Sequence, residues 1–165
     1  MTYQETLTYL YRLGRFGIRP GLDNVRRLLH RLGNPQERLK VVHVAGTNGK
    51  GSTSAFLSSI LKEGGAKVGL FTSPHLTSFT ERFRIDGEEI DEEPVVSLAA
   101  RVIDAAPDEA TFFEIVTAMA FLHFAEHEVD LAIMEVGMGG RLDATNAADG
   151  ILSICLLYTS PSPRD

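Results

Sequence analysis

The stretch Leu39-Lys-Val-Val-His-Val-Ala-Gly-Thr-Asn-Gly-Lys-Gly-Ser-Thr53 decides the fold. Leu39–Ala45 is a short valine-rich run that reads as a buried strand. Gly46–Gly51 reads as a glycine-rich turn. Ser52–Glu63 has the composition of a helix, with Phe56, Leu57, Ile60 and Leu61 on one side and Gly64-Gly65 ending it. A strand, a glycine-rich turn and a helix in that order suit a phosphate. Glycines let the backbone take positive φ and point successive N–H groups inward, and the helix start adds partial positive charge. Lys50 adds a full charge, worth about 4 kcal/mol at about 4 Å and an effective dielectric near 20. Ser52 offers a hydroxyl to a phosphate or to Mg²⁺. The spacing departs from G-x-x-x-x-G-K-[ST]: the first glycine position falls on Val44, and Gly51 separates Lys50 from the hydroxyl residues. It is not a dinucleotide fingerprint either, because the glycines follow G-x-x-G-x-G, and the later Gly137-Met-Gly-Gly140 run carries Leu142 at the third glycine position.

Outward from this unit the same alternation continues. Lys67–Phe71 reads as a second strand and Arg82–Ile90 as a hairpin around Asp86-Gly87. Asp91 is placed to cap a helix through Ala106, and Phe113–Glu128 reads as another helix. Asp130–Val136 reads as a third buried strand and Ile151–Ile154 as the start of a fourth. Upstream, Tyr3–Leu13 reads as a short helix, followed by breaks at Gly14, Gly17, Pro20 and Gly21. Leu22–Leu32 is amphipathic, with Leu22, Val25, Leu28, Leu29 and Leu32 inward and Arg26, Arg27 and Arg31 on a wet face. Asp23 or Asn24 is placed to cap it, and Gly33 and Pro35 stop it. The expectation is an α/β fold, a mostly parallel sheet flanked by helices, without internal repeats. Residues 1–154 are expected to form one incomplete ATP-binding domain. Pro161 and Pro163 forbid a central strand or a helix interior in Cys155–Asp165, which reads either as a non-native tail, the natural chain then continuing beyond about Ile154, or as a disordered natural terminus.

The 165 residues carry 16 Lys+Arg against 22 Asp+Glu, a formal charge of −6, so a broad basic footprint for nucleic acid is excluded. No apolar run reaches the roughly 18 residues of a membrane span. The start, Met1–Glu5, lacks the pattern of a secretory signal, and the single cysteine cannot form an internal disulfide, so a reducing cytoplasm is expected.

Glu135 ends the apolar run Leu131-Ala-Ile-Met-Glu135, as does the acidic residue that holds Mg²⁺ beside a phosphate loop. The alternative is a strand-end glutamate paired to Arg141 in solvent. His123 and His127 stand four apart, yet the H-E-x-x-H pattern is absent, and a solvated helix face is expected there. Phe112 and Phe113 read, by base rate, as core residues, Asp143 as a cap or turn residue, and His75 as a hydrogen-bonding group.

Three segments together resemble the signatures of folylpolyglutamate synthase and its bifunctional dihydrofolate synthase forms, within the Mur-ligase superfamily. They are His43-Val-Ala-Gly-Thr-Asn-Gly-Lys-Gly-Ser52, Thr72-Ser-Pro-His-Leu76 and Glu135-Val-Gly-Met-Gly-Gly-Arg-Leu-Asp-Ala-Thr-Asn146. Phe16-Gly-Ile-Arg-Pro-Gly21 is similar to that family's amino-terminal region. The resemblance covers about residues 1–154. It implies a P-loop-type Mur-ligase ATP-binding domain and an ATP- and Mg²⁺-dependent amide ligase. Such an enzyme joins L-glutamate to a folate or dihydropteroate carboxylate through an acyl phosphate. It implies that Thr47, Asn48, Gly49 and Lys50, with Gly51 and Ser52, hold the ATP phosphates. Ser73 and Glu135 would bind Mg²⁺, Lys50 and Glu135 being the catalytic pair. Thr111, Phe112, Phe113 and Glu114 with Leu142, Asp143 and Ala144 would contact the pterin-bearing substrate. A further histidine ligand, a carbamylated lysine and a glutamate-binding domain are expected downstream, so the chain alone is expected to be inactive and the full-length protein a monomer. The rival readings are a P-loop phosphotransferase and a nucleotide-binding module without chemistry.

Overall fold

The computed structural model describes residues 1–14 and 21–156. Among the described residues, five α-helices are α1 (Tyr3–Leu13), α2 (Asp23–Arg31), α3 (Lys50–Glu63), α4 (Glu92–Ala105) and α5 (Phe112–Glu126). Six strands among the same residues are β1 (Val41–Ala45), β2 (Val68–Phe71), β3 (Phe83–Ile85), β4 (Glu88–Glu89), β5 (Leu131–Glu135) and β6 (Gly150–Cys155). They form one sheet in the order β4-β3-β2-β5-β1-β6. The β2-β5-β1-β6 part is parallel, and β3 and β4 add an antiparallel edge. The expected α/β architecture is present.

Register places the site. Val44 of β1 stands opposite Glu135 of β5, and Phe71 of β2 opposite Met134. The segments that leave β1, β2 and β5 therefore emerge together at the carboxyl ends of parallel strands, where open α/β sheets bind ligands.

Each face of the sheet has its own cover. On one side Val42, Val44, Val68, Leu70 and Ile133 pack under α3 through Leu57 and Leu61. On the other, α5 lies between the sheet and helices α1, α2 and α4, and every residue from Glu114 to Ala125 is buried. Phe71, Phe83, Met119, Phe121, Phe124 and Met134 fill that layer. Fully burying each such side chain contributes about 1.5–3 kcal/mol. The hairpin turn follows expectation: Asp86 and Gly87 take φ of 53° and 85°, and the Asp86 carboxylate accepts the Val68 N–H at 2.8 Å.

Several local expectations are corrected. Phe56 and Ile60 of α3 are 71% and 68% exposed, while Ser54 and Ser58 are buried. Small side chains let the helix axis approach the strands, so the inward face is the Ser54/Ser58 side flanked by Leu57 and Leu61. Neither Asp23 nor Asn24 caps α2: Leu22 holds the cap position and Asp23 is already helical. Asp91 has the extended geometry of a cap but its carboxylate makes no capping bond. α5 starts at Phe112 behind a Thr111 cap and ends at Glu126, before Glu128 turns to a φ of 51°. β6 pairs with β1 at the sheet edge, with Ile151 and Leu152 mostly exposed rather than in the core. Cys155 is its last residue. The expectations for Phe16–Pro20, including Gly17 and Pro20, and for the tail from residue 157 lie outside the described residues.

Candidate functional site

The turn between β1 and α3 forms the first part of the site. Gly46 takes a φ of 140° and Gly49, the cap residue of α3, a φ of 81°. A Cβ at Gly46 would stand 2.7 Å from Leu156 Cβ, so only glycine fits beneath the chain leaving β6. Thr47, Asn48, Gly49 and Ser52 are exposed, whereas Gly51 and Lys50 are half-buried. The first regular helical bond runs from the Thr53 N–H to the Gly49 carbonyl at 2.9 Å. The amides of Lys50, Gly51 and Ser52 thus belong to the helix start and have no helical acceptor. Lys50 Nζ donates to the Gly46 carbonyl at 2.8 Å, folding its charge back over the turn.

Glu135 lies beside this helix start. A Cβ on Gly51 would be 3.7 Å from Glu135 Oε1. The carboxylate is only 6% exposed and accepts one backbone N–H, from Ser73 at 2.9 Å. Among the described residues it has no ion pair, so the Arg141 alternative is not what folds. Burial raises its pKa, opposed in part by the Ser73 N–H and by the positive charges of Lys50 and Arg82. A buried carboxylate with one donor and no cation in contact suits a hard divalent ion. Among the described residues no cluster of three or more His, Cys, Asp or Glu stands ready for a metal. That donor set fits Mg²⁺, which keeps several waters and takes phosphate oxygens, better than a metal needing a full protein cage.

Ser73 also lines a cavity of about 490 Å³. All seven residues expected to contact substrate line it too: Thr111, Phe112, Phe113, Glu114, Leu142, Asp143 and Ala144. Their positions follow from local chemistry. Thr111 and Glu114 form a capping box at the start of α5, the Thr111 N–H donating to Glu114 Oε2 at 2.7 Å and the Glu114 N–H to Thr111 Oγ1 at 3.3 Å. This directs Phe112 and Phe113 outward, half-buried in the cavity wall. Asp143 is buried and caps a short 3₁₀ turn, accepting from the Thr145 N–H and hydroxyl and, with its other oxygen, from the Met138 N–H. His43 in β1 bonds the Thr145 carbonyl at 2.9 Å, tying that turn to the sheet. Phe113 lies against Gly137, where a Cβ would stand 2.5 Å from its ring.

Sequence reasoning missed Arg82. It is 5% exposed, lines the cavity, and has no carboxylate within ion-pair distance among the described residues. Its guanidinium carbon lies 5.4 Å from the Phe112 ring centroid and 5.7 Å from that of Phe79. The only available signal was an arginine at the entry to a hairpin strand among aromatic residues. Only one of the two histidines lies on a wet face: His127 is exposed as expected, whereas His123 is buried within α5 and its pKa is lowered to about 4, mainly by burial. His127 turns its ring nitrogen to the His123 carbonyl at the helix end. Arg26, Arg27 and Arg31 are exposed as expected.

No family model matches the chain. A probable bifunctional folylpolyglutamate synthase/dihydropteroate synthase of Haloferax volcanii is 46% identical over 162 residues, covering 93% of this chain and 19% of the relative. The dihydrofolate synthase/folylpolyglutamate synthase of Bacillus subtilis is 42% identical over 160 residues, covering 92% and 37%. The structure of Escherichia coli FolC in complex with DHPP and ADP superimposes with a TM-score of 0.89 at 39% identity, covering 96% of this chain and 39% of that one. The chain therefore spans less than two fifths of the length of each of these proteins. Identity of this order along nearly all of its residues, on the same fold, means that the chain belongs to the folylpolyglutamate synthase/dihydrofolate synthase family, corresponding to the amino-terminal part of its members.

Proposed function

We propose that this chain is the ATP- and pterin-binding part, residues 1–154, of an ATP-dependent ligase that joins L-glutamate to the carboxylate of a folate or dihydropteroate. The observation that carries the reading is a juxtaposition. The glycine turn with Lys50 and the buried Glu135 adjoin, through Ser73, the cavity lined by Phe112, Phe113, Glu114 and Asp143. Relatives described with ADP and DHPP, or with AMPPCP and folate, support both halves of it.

In this reading the amides of residues 47–52 and Lys50 hold the triphosphate of ATP. Lys50 exchanges its bond with the Gly46 carbonyl for phosphate oxygens. Ser73 and Glu135 hold Mg²⁺, which when bound neutralises charge on the phosphoryl group being transferred. Phe112 and Phe113 supply flat apolar surface for a heterocycle, and buried Glu114 and Asp143 accept from ring N–H groups. Arg82 adds positive charge at the cavity wall for an anionic ligand. The reaction balances as two displacements. A carboxylate oxygen attacks the γ-phosphorus and ADP leaves; the amine nitrogen of glutamate attacks the acyl carbon, phosphate leaves and a proton is lost.

Calorimetric titration of the chain with a non-hydrolysable ATP analogue plus Mg²⁺, and separately with folate, tests the assignment. Lys50→Ala should weaken nucleotide binding by one to two orders of magnitude, in line with about 2 kcal/mol for a charge-assisted contact, and leave folate binding unchanged. Equal loss of both with the fold intact would contradict the phosphate role of Lys50. In a full-length relative, ADP release without glutamate would favour a phosphotransferase.

A further inference from the structure

The turn after β2 presents one side chain that the proposed reaction does not use. His75 stands between α1 and Arg82. Arg82 Nε–H donates to His75 Nδ1 at 2.9 Å. A guanidinium only donates, so Nδ1 is the bare acceptor and the ring proton resides on Nε2. Nε2 faces the Tyr11 hydroxyl at 3.4 Å, which then accepts. The imidazole plane is also held sterically, edge-on to Phe79 at 6.0 Å and tilted against Tyr11 at 6.3 Å.

Arg82 is correspondingly pinned. Its Nε is taken by His75, and the rings of Phe79 and Phe112 pack close to the guanidinium. Its terminal nitrogens have no hydrogen-bond partner among the described residues, although the residue is buried and lines the cavity. An arginine free at Nε could rotate about its last bonds and withdraw that edge. One neutral imidazole acceptor removes this freedom without neutralising the charge, which a carboxylate in the same place would do.

We propose that His75, fixed as its Nε2–H tautomer and braced by Tyr11, is a positioning residue that holds the Arg82 guanidinium at the cavity wall, ready for a ligand carboxylate. The inference rests on the folate reading of the cavity only for the identity of that ligand. Nitrogen-15 spectra of the 165-residue chain test the tautomer, and folate titration tests its consequence. The expected spectrum shows an unprotonated Nδ1 at His75 and an Arg82 Nε–H signal that persists at neutral pH. His75→Phe should abolish that signal with the amide spectrum otherwise retained, and weaken folate binding about tenfold, the scale of one charge-assisted hydrogen bond. His75→Asn, whose side chain can place an acceptor near Nδ1, should restore both. A protonated Nδ1, or a His75→Phe chain that keeps the Arg82 signal and wild-type affinity, overturns the proposal. If the unaltered chain binds no folate while the spectra come out as expected, the folate reading fails and the positioning role stands.

Discussion

Glu135→Gln should make the free protein more stable and the metal-loaded protein less responsive. The carboxylate ends β5 at 6% exposure with one donor, the Ser73 N–H, and no ion pair among the described residues. Burial raises its folded-state pKa, so the native state holds its proton more tightly than the unfolded chain does. Stability then falls as pH rises from the ordinary carboxylate range through the raised folded value, and the full cost is present above it. A glutamine keeps the shape, retains an oxygen for the Ser73 N–H, and removes the charge. Relief of an incompletely compensated buried charge is worth about 1–2 kcal/mol, which in a domain of this size moves Tm by roughly 3–6 °C. Thermal melts between pH 4 and 8, in a chelator, would read this directly. The variant should melt higher than the wild type at pH 7.5, and the gap should close toward pH 4. With Mg²⁺ and an ATP analogue the wild type should gain Tm on metal addition and the variant should not. A variant that melts lower at pH 7.5 in chelator, or gains the same from Mg²⁺, would refute the picture of an uncompensated carboxylate awaiting a cation.

Other consequences are equally direct. Gly137→Ala places a methyl within 2.5 Å of the Phe113 ring, so the ring must swing into the cavity. Denaturant titration should show a loss of about 1–3 kcal/mol, and folate affinity should fall more than nucleotide affinity. Gly46→Ala combines a φ of 140° with a clash against Leu156, so nucleotide binding should be lost before the fold is, as read by calorimetry beside circular dichroism. Thr111→Ala removes one half of the α5 capping box and should cost about 1 kcal/mol in urea unfolding, with hydrogen exchange speeding in the first turn of α5.

Much of this arrangement was legible because its signals are local. The β1 run, the glycine turn and α3 are contiguous, and the hairpin is announced by Asp86-Gly87. Glu135 was placed by its position at the end of an apolar strand. What escaped depends on contacts between distant segments. Arg82 becomes a buried cavity cation only because β3 pairs with β2 and α5 brings Phe112 to its side, 30 positions downstream. Tyr11 and His75 meet across 64 positions. The orientation of α3 was misjudged because Phe56 and Ile60 satisfy an apolar stripe, while close approach to the sheet selects Ser54 and Ser58 instead. α5 is apolar on every side, so its periodicity could not separate His123, which is buried, from a wet face.

Catalysis as proposed requires that the turn from Gly46 to Ser52 receive a triphosphate next to Glu135. Diffraction from crystals of this chain grown with Mg²⁺ and a non-hydrolysable ATP analogue addresses it most directly. Phosphate density is expected on the amides of residues 48–52, with Lys50 Nζ moved from the Gly46 carbonyl to a phosphate oxygen and a metal between Ser73 and Glu135. A bare turn with the nucleotide bound elsewhere would contradict it.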